Sequence, residues 1–268
     1  MKWMRVALIV FVAIIITALG IDAADTITGS RGTLLSNVIG QSDTHGCPEG
    51  MSAVSNVGTV TCVDIYEVST SETCPFVAPE NTTDSMKNIE SADCLPVTKP
   101  DVMPWRYVTR DQAMSMCARI GKRLPTNDEW YHLSLGVAQV HDTCNISSKQ
   151  ASKTGSFEQC VSPQGAYDMV GNVWEWVSDD VIEGMYNDHL LPDTGYVAQV
   201  DGTGMPIVTS TEEQALFGND YFWSKNIGAY GVLRGGYYDS GTDAGIYAVH
   251  ADTVPTSASA GIGFRCVQ

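Results

Sequence analysis

The 268-residue sequence predicts an α+β domain that is rich in loops, and three observations support this class. Thr109 precedes Gln112 by three residues, and Thr126 precedes Glu129 in the same way, so each threonine is placed to cap a helix. After residue 140, apolar runs are short and separated by Gly, Asn and Asp, which is typical of irregular β structure. Hydrophobic residues make up 44% of the chain, which is enough for a sizeable core.

The N-terminus has the pattern of a targeting signal. Lys2 and Arg5 precede the uncharged apolar run from Val6 to Ile21, which is short for a membrane span. We interpret residues 1–24 as a signal peptide or an N-terminal membrane anchor, and residues 25–46, rich in Ser, Thr, Gly and Asp, as a linker. Either interpretation predicts an extracytoplasmic protein, secreted or anchored at the cell surface, that meets a membrane only through this segment.

Charge and cysteine content narrow the function classes. The net charge of −16 argues against nucleic-acid binding, because such a chain repels phosphate backbones. Eight cysteines, an even number, fit an oxidising compartment, and none forms a Cys-x-x-Cys pair. Their spacing alone leaves the pairing open among 105 connectivities.

From residue 47 onward, the elements follow in order without an obvious domain boundary. Thr59 to Tyr66 is rich in β-branched residues and predicts a strand. Five prolines between residues 74 and 105 predict a segment that is mostly loop. The helix after Thr109 should end at Gly121, and the second helix should place Trp130 on its apolar face.

Four segments in this order carry a family resemblance: Gly121–Trp130 (GKRLPTNDEW), Gly165–Trp176 (GAYDMVGNVWEW), Arg234–Gly236 (RGG) and Gly261–Cys266 (GIGFRC). Together they resemble the formylglycine-generating-enzyme, or sulfatase-modifying factor, family, whose fold is a variant of the C-type lectin fold. The resemblance covers about residues 47–268. It implies a compact, loop-rich α+β domain with two helices and a small twisted antiparallel sheet.

The resemblance also implies how the frame is held. In C-type lectin domains a cysteine of the first helix pairs with one on the last strand, which here implies Cys117–Cys266. Cys47–Cys62, Cys74–Cys94 and Cys144–Cys160 then remain as neighbours in sequence. We expect Trp174 and Trp176 to pack in the core, and Arg123 and Arg234 to act structurally.

The chemistry of the enzymes is not expected here. Members that generate formylglycine bind copper through two cysteines, six and eleven residues after the arginine of the RGG motif. Those positions hold Ser240 and Gly245. A hydroxyl is a poor ligand for Cu(I), and glycine offers no side chain. The sequence therefore predicts that the protein is not an enzyme and binds no copper.

Calcium is a separate expectation of the resemblance. Family members hold calcium at the GNxWEW loop through side-chain and backbone oxygens. The matching residues are Asp168, Gly171, Val173 and Glu175. Hard oxygen ligands suit calcium. The alternative is that Glu175 forms a salt bridge with an arginine of the frame.

Residues 235–264 contain no Lys, Glu, Gln, Met or Trp. Variable proteins of diversity-generating retroelements use this same fold, and randomising the adenines of an AAC codon cannot produce those five residue types. We therefore interpret about 234–266 as a variable region, with Ile246, Val249, Val254 and Ile262 pointing inward. Mixed tyrosine and small polar residues suit binding surfaces. The candidate ligand-binding residues are Tyr237, Tyr238, Asp239, Ser240, Asp243, Tyr247, His250, Asp252, Thr253, Ser257 and Ser259.

These observations favour a secreted or surface-displayed protein whose region from about 237 to 261 is a diversified binding face. The ligand would be an unknown protein, or a glycan, on another cell or a virus. The alternatives are a formylglycine-generating-type oxidase and a fixed carbohydrate-binding lectin. The sequence has no Glu-Pro-Asn or Trp-Asn-Asp sugar motif. We interpret the segment from Asp179 to Lys225 as decoration of the fold rather than an extension of this face.

Overall fold

A computed structural model describes residues 46–138 and 143–268. Cys47–Gln268 forms one compact unit. The predicted signal peptide or anchor (1–24), and all of the linker (25–46) except its last residue, lie outside the described residues. None of the helices described in the chain is long and apolar enough to span a membrane.

Two short pairs of antiparallel strands begin the domain. Strand β1 (Met51–Val57) pairs antiparallel with β2 (Val60–Asp64), which confirms the strand predicted between Thr59 and Tyr66. Strand β3 (Ser69–Thr70) pairs antiparallel with β4 (Pro96–Val97).

Both predicted helices form. Helix α2 spans Arg110–Arg119 and helix α3 spans Asn127–Ser134. The side chains of Thr109 and Thr126 each accept a hydrogen bond from a backbone N–H of the first turn. In return, the side chains of Gln112 and Glu129 accept from the backbone N–H of the cap threonine, so both capping boxes are complete.

An additional helix, α1 (Thr82–Glu90), lies in the segment predicted to be mostly loop. Its buried residues are polar, which hides it from a search for apolar periodicity. Ser85 donates to the carbonyl of Arg106 at 2.7 Å and accepts from the indole of Trp105 at 3.0 Å. Asn88 exchanges two hydrogen bonds with the backbone of Phe76. Residues 74–105 are mostly loop, as predicted, but helix α1 was missed because polar contacts, not an apolar stripe, hold it.

One nine-stranded sheet forms the centre of the domain. Its strands are β5 (Trp174–Ile182), β6 (Met185–Tyr186), β7 (His189–Leu190), β8 (Gly195–Val200), β9 (Pro206–Ser210), β10 (Tyr221–Ser224), β11 (Ala229–Arg234), β12 (Val249–Thr253) and β13 (Ile262–Gly263). The order is β7-β6-β5-β11-β12-β10-β8-β9, with β13 alongside β5. All pairs are antiparallel except β10 with β12 and β13 with β5. The sheet is larger than expected because residues 185–224 contribute five strands.

The sheet separates two apolar clusters. Consecutive residues of β11, Val232 and Leu233, belong to different clusters, so the clusters lie against opposite faces. The first cluster holds Val232 and Trp130 of α3. The second holds Leu233, Trp174 and Trp176, and α2 packs against β5 there. Both tryptophans of β5 are therefore core residues, as expected.

Four disulfides cross-link the domain: Cys47–Cys62, Cys74–Cys94, Cys117–Cys266 and Cys144–Cys160. These are the pairs that the resemblance implies. Cys117–Cys266 joins α2 to the end of the chain across 149 residues. Such a bridge stabilises the fold by restricting the unfolded chain.

Candidate functional site

The RGG motif ends β11 beneath the predicted variable region. The guanidinium of Arg234 is fully buried and donates to the carbonyls of Gly204 (3.2 Å) and Ile246 (2.7 Å). It also lies 5.0 Å from the ring centroid of Trp130. Burial lowers its pKa to about 10. Arg234 thus fixes the backbone of the predicted variable region at Ile246, which is the structural role expected. Arg123, the other arginine that was expected to act structurally, forms an ion pair with Glu129 at 2.6 Å.

The GIGFRC and GNxWEW motifs meet in a buried ion pair. Nε and Nη2 of Arg265 donate to Glu175 at 2.6 to 2.9 Å, and the indole of Trp130 donates to Glu175 at 2.6 Å. The remaining donors of Arg265 reach the carbonyls of Asp64 and Tyr167. This pair is the alternative to a calcium ligand at Glu175.

The two carboxylates among the four expected calcium ligands already have other partners in the structure. Both oxygens of Glu175 are bound by a guanidinium, and Asp168 accepts the backbone N–H of Gly155 at 2.7 Å. With both oxygens bound to Arg265, Glu175 is not free to act as the expected calcium ligand. Calcium stays a prediction that rests on the resemblance alone.

Buried carboxyl groups surround this ion pair. Burial raises the pKa of Asp168 to about 6, and burial together with the charges of Asp168 and Glu175 raises that of Glu67 well above its usual value. Arg265 acts in the opposite direction on both pKa values. One cation, Arg265, therefore faces three acids. Because the pKa values of Asp168 and Glu67 are raised, these two groups keep their protons in the folded state at a pH where the unfolded chain would release them.

At the two positions where the enzymes have cysteines, the structure holds different chemistry. The hydroxyl of Ser240 accepts the backbone N–H of Tyr237 at 3.0 Å. Gly245 is buried, and a Cβ there would lie far inside van der Waals contact with both carboxyl oxygens of Asp220. Asp220 itself accepts the backbone N–H of Tyr247 at 2.7 Å. A carboxyl group therefore fills the space that a side chain at position 245 would need.

The eleven candidate ligand-binding residues share one property. Each is exposed or half-exposed: Tyr237, Tyr238, Asp239, Ser240, Asp243, Tyr247, His250, Asp252, Thr253, Ser257 and Ser259. Between them lie residues that are buried, such as Ala248, Val249 and Ala251. Ile246 and Ile262 are buried as predicted, but Val254 is 46% exposed, so that prediction was wrong. Val254 directly follows β12 and begins a turn closed by Ser257, which carries it out of the sheet.

Contacts gather several of these residues. The rings of Tyr237 and Tyr238 lie 4.9 Å apart, and Asp239 pairs with Lys149. His250 bonds Thr253 at 2.8 Å and pairs with Asp252 at 2.7 Å. Tyr247 lies apart from these pairs. Its ring contacts the rings of Tyr131 and Phe217, and it packs against the first cluster together with Phe217. Ser257 and Ser259 lie on the segment after β12, where the carbonyl of Ser259 accepts from Tyr107.

Sequence reasoning missed a row of aromatic rings on the second face of the sheet. Adjacent ring centroids lie 5.6, 5.0, 4.8 and 4.9 Å apart. The aromatic row consists, in this order, of Trp174, His250, Trp223, Tyr221 and Tyr196. Because β10 pairs with β12, the segment from Asp179 to Lys225 extends the surface around His250. The interpretation of this segment as decoration was wrong. Its aromatic residues are scattered in sequence and only strand pairing brings them together.

The family follows from the second half of the chain. Residues 131–268, just over half of the sequence, match the family model of the Sulfatase-modifying factor enzyme 1-like domain. The chain belongs to this family. The sulfatase-modifying factor fold, a loop-rich variant of the C-type lectin fold, agrees with the few helices and the central sheet described above.

The chain is similar to relatives whose names state different activities. The chain is 30% identical over 169 residues to serine/threonine-protein kinase pkn1 of Chlamydia caviae, covering 60% of this chain and 23% of that protein. It is 30% identical over 122 residues to inactive C-alpha-formylglycine-generating enzyme 2 of Bos taurus, covering 37% of this chain and 40% of the relative. The chain thus spans less than half of the length of either relative.

Solved structures with a similar fold include the Major Tropism Determinant P3c variant, with a TM-score of 0.45, 17% identity and coverage of 83% of this chain and 53% of that chain. Treponema denticola variable protein 1 has a TM-score of 0.45 and 14% identity, with coverage of 82% and 91%.

Proposed function

We propose that this protein is an extracytoplasmic ligand-binding protein whose C-terminal face, about residues 237–261, is diversified by a retroelement. One observation carries the proposal: every candidate variable side chain is exposed or half-exposed, whereas frame residues between them are buried. A surface of this kind can change its side chains without disturbing the core. Tyrosine and small polar residues give such a face both contact area and adaptable hydrogen bonds.

The frame beneath the face supports the same function. The buried Arg234 holds the variable segment through the carbonyl of Ile246, and Asp220 holds it through the N–H of Tyr247. Both contacts reach the backbone, so they do not depend on which side chains the variable positions carry. Cys117–Cys266 fastens the end of the segment to α2.

Oxidase chemistry of the formylglycine-generating type is the weaker candidate. Ser240 and Gly245 replace the copper-binding cysteines, and all eight cysteines of the chain are in disulfides. The similarity to an inactive C-alpha-formylglycine-generating enzyme 2 is consistent with a family member that has no such activity.

Location and partner follow from the same features. Four disulfides suit an oxidising compartment, and the apolar N-terminal run suits export, so we place the protein outside the cytoplasm, secreted or anchored at a surface. The ligand would be a protein or glycan on another cell or a virus. A chain of net charge −16 is unsuited to nucleic acid.

The DNA around the gene tests the proposal. We expect a near-identical template repeat with adenines at codons of the eleven positions, next to a reverse-transcriptase gene. A complete genome without both would overturn the proposal. Copper-dependent oxidation of a cysteine-containing sulfatase peptide by the purified protein would instead support the oxidase.

A further inference from the structure

The aromatic row combines one variable residue with constant ones. Only His250 belongs to the candidate variable positions, whereas Tyr196, Tyr221 and Trp223 come from the segment before β11. Their side chains lie on the face of the second cluster, because Phe222 and Val197 between them enter the first cluster. Trp174 is buried at one end, and the outer rings are half-exposed. The row therefore continues the core outward onto a surface beside the variable strand.

Acidic side chains lie near both ends of this row, but only those at the Tyr196 end lack a basic partner among the described residues. Asp252 lies beside His250 and pairs with Lys225, whereas the carboxyl groups of Asp243 and Glu213 interact electrostatically with Tyr196. Burial and the neighbouring Glu213 raise the pKa of Asp243. In the part of the chain that the structure describes, neither Asp243 nor Glu213 has an ion-pair partner. An incoming cation would relieve the repulsion between these two acids.

The chain itself places an ammonium group at the edge of this surface. Nζ of Lys225 lies 3.5 Å from Asp252 and 5.6 Å from the ring centroid of Tyr230. A carboxylate and an aromatic face together bind this cation, and the outer row has a similar combination at Tyr196, near Asp243 and Glu213. The whole chain, with 31 acidic and 15 basic residues, also attracts cationic partners over longer distances.

We propose that the aromatic row, in which every ring except His250 lies outside the variable positions, is part of the ligand face and binds lysine or arginine side chains of a protein partner. This inference rests on the proposed ligand-binding function and adds the chemistry of the partner. Cations are attracted to the faces of Tyr and Trp rings, and flanking carboxylates add direct charge attraction. Tyr196, Tyr221, Trp223 and Glu213 lie outside the variable positions and would be present in every variant, whereas His250, Asp243 and Asp252 are variable positions and would tune the affinity for the cation.

A peptide titration tests this partner chemistry. The full chain, labelled with 15N, is titrated with acetyl-tetralysine amide while the indole N–H signal of Trp223, assigned with Trp223→Phe, is followed by NMR. We expect a saturable shift, weakened roughly fivefold by Tyr221→Leu and by Asp243→Asn. Asp93→Asn removes the same charge at an exposed distant site, and Tyr66→Leu removes a tyrosine outside the central sheet. Both controls should change the affinity by less than about twofold.

Three results would overturn the inference. They are an unmoved Trp223 signal, equal weakening by Asp93→Asn and Asp243→Asn, and a shift produced by neutral maltotetraose in place of the peptide. Asp243→Asn removes the charge of a half-buried side chain and keeps its shape, so the test holds even if Tyr221→Leu does not fold. These failures concern partner chemistry alone, because the template repeat and the reverse-transcriptase gene test diversification separately.

Discussion

At position 245 a residue distant in sequence decides which side chain is allowed. Asp220 precedes β10, yet its carboxyl oxygens occupy the space next to the Cα of Gly245. Asp220 also binds the N–H of Tyr247, so moving it away would break a buried hydrogen bond. A side chain at position 245, such as the cysteine of the enzymes, is therefore incompatible with Asp220 in this position.

Gly245→Ala should destabilise the domain by about 3 kcal/mol or more, because a methyl group overlaps Asp220 inside a packed core. Urea denaturation measures this effect. Gly202→Ala is the matched control, since a Cβ there meets nothing within 4 Å. The second variant Gly245→Ala/Asp220→Ala should recover part of the loss. Equal stability of the two single alanine variants would contradict this view of position 245.

Among the elements, those marked by residues close together in sequence can be predicted, and those held by contacts between distant segments cannot. The two capping boxes predict α2 and α3 because the cap and its partner lie three residues apart. Helix α1 escaped because its buried Ser85 and Asn88 bond to segments on either side of it. The eleven surface positions were recognised from residue types, but the rings at 196, 221 and 223 face them only after β8 and β10 join the sheet.

The variable segment should tolerate side-chain changes at its surface positions and not between them. Tyr238→Ala and Ser257→Tyr are expected to change the unfolding free energy by less than about 0.5 kcal/mol, because both sites are half-exposed. Ala248→Tyr and Ala251→Tyr, at sites with no exposure, should prevent folding or cost more than about 3 kcal/mol. Thermal unfolding followed by circular dichroism distinguishes the two groups. Comparable losses in both groups would argue against a replaceable face.

At the scale of the whole molecule, the disulfides differ in how much chain they restrict. Cys117–Cys266 closes 149 residues and Cys74–Cys94 closes 20. Loop-closure entropy gives roughly 5 kcal/mol for the first bridge and roughly 3 kcal/mol for the second. Replacing Cys117 and Cys266 by alanine should therefore lower the unfolding free energy by about 2 kcal/mol more than replacing Cys74 and Cys94. Urea denaturation of both double variants tests this order, which the reverse ranking would refute.

The buried acids make stability fall as pH rises. The pKa of Glu67 is raised by burial and by Asp168 and Glu175, that of Asp168 is raised by burial to about 6, and that of Asp220 is raised by burial to about 8. Between the unfolded values near 4 and these folded values, the folded state keeps protons that the unfolded chain has lost. Each group then removes roughly 1.4 kcal/mol of stability per pH unit. Groups with lowered pKa values, Glu129 and Asp252, act in the opposite sense only below about pH 4.5.

Urea denaturation from pH 5 to pH 8.5 should therefore give a decreasing unfolding free energy. Asp220→Asn keeps the shape of the side chain and removes its titration, so it should flatten the slope between pH 6 and pH 8 and stabilise the protein most at the alkaline end. Asp93→Asn, which changes an exposed carboxylate, should leave the slope unaltered. If Asp220→Asn retains the wild-type slope, the folded protein does not hold an extra proton at Asp220. Burial of this carboxyl group beside Gly245 would then not be the cause of the loss of stability with rising pH.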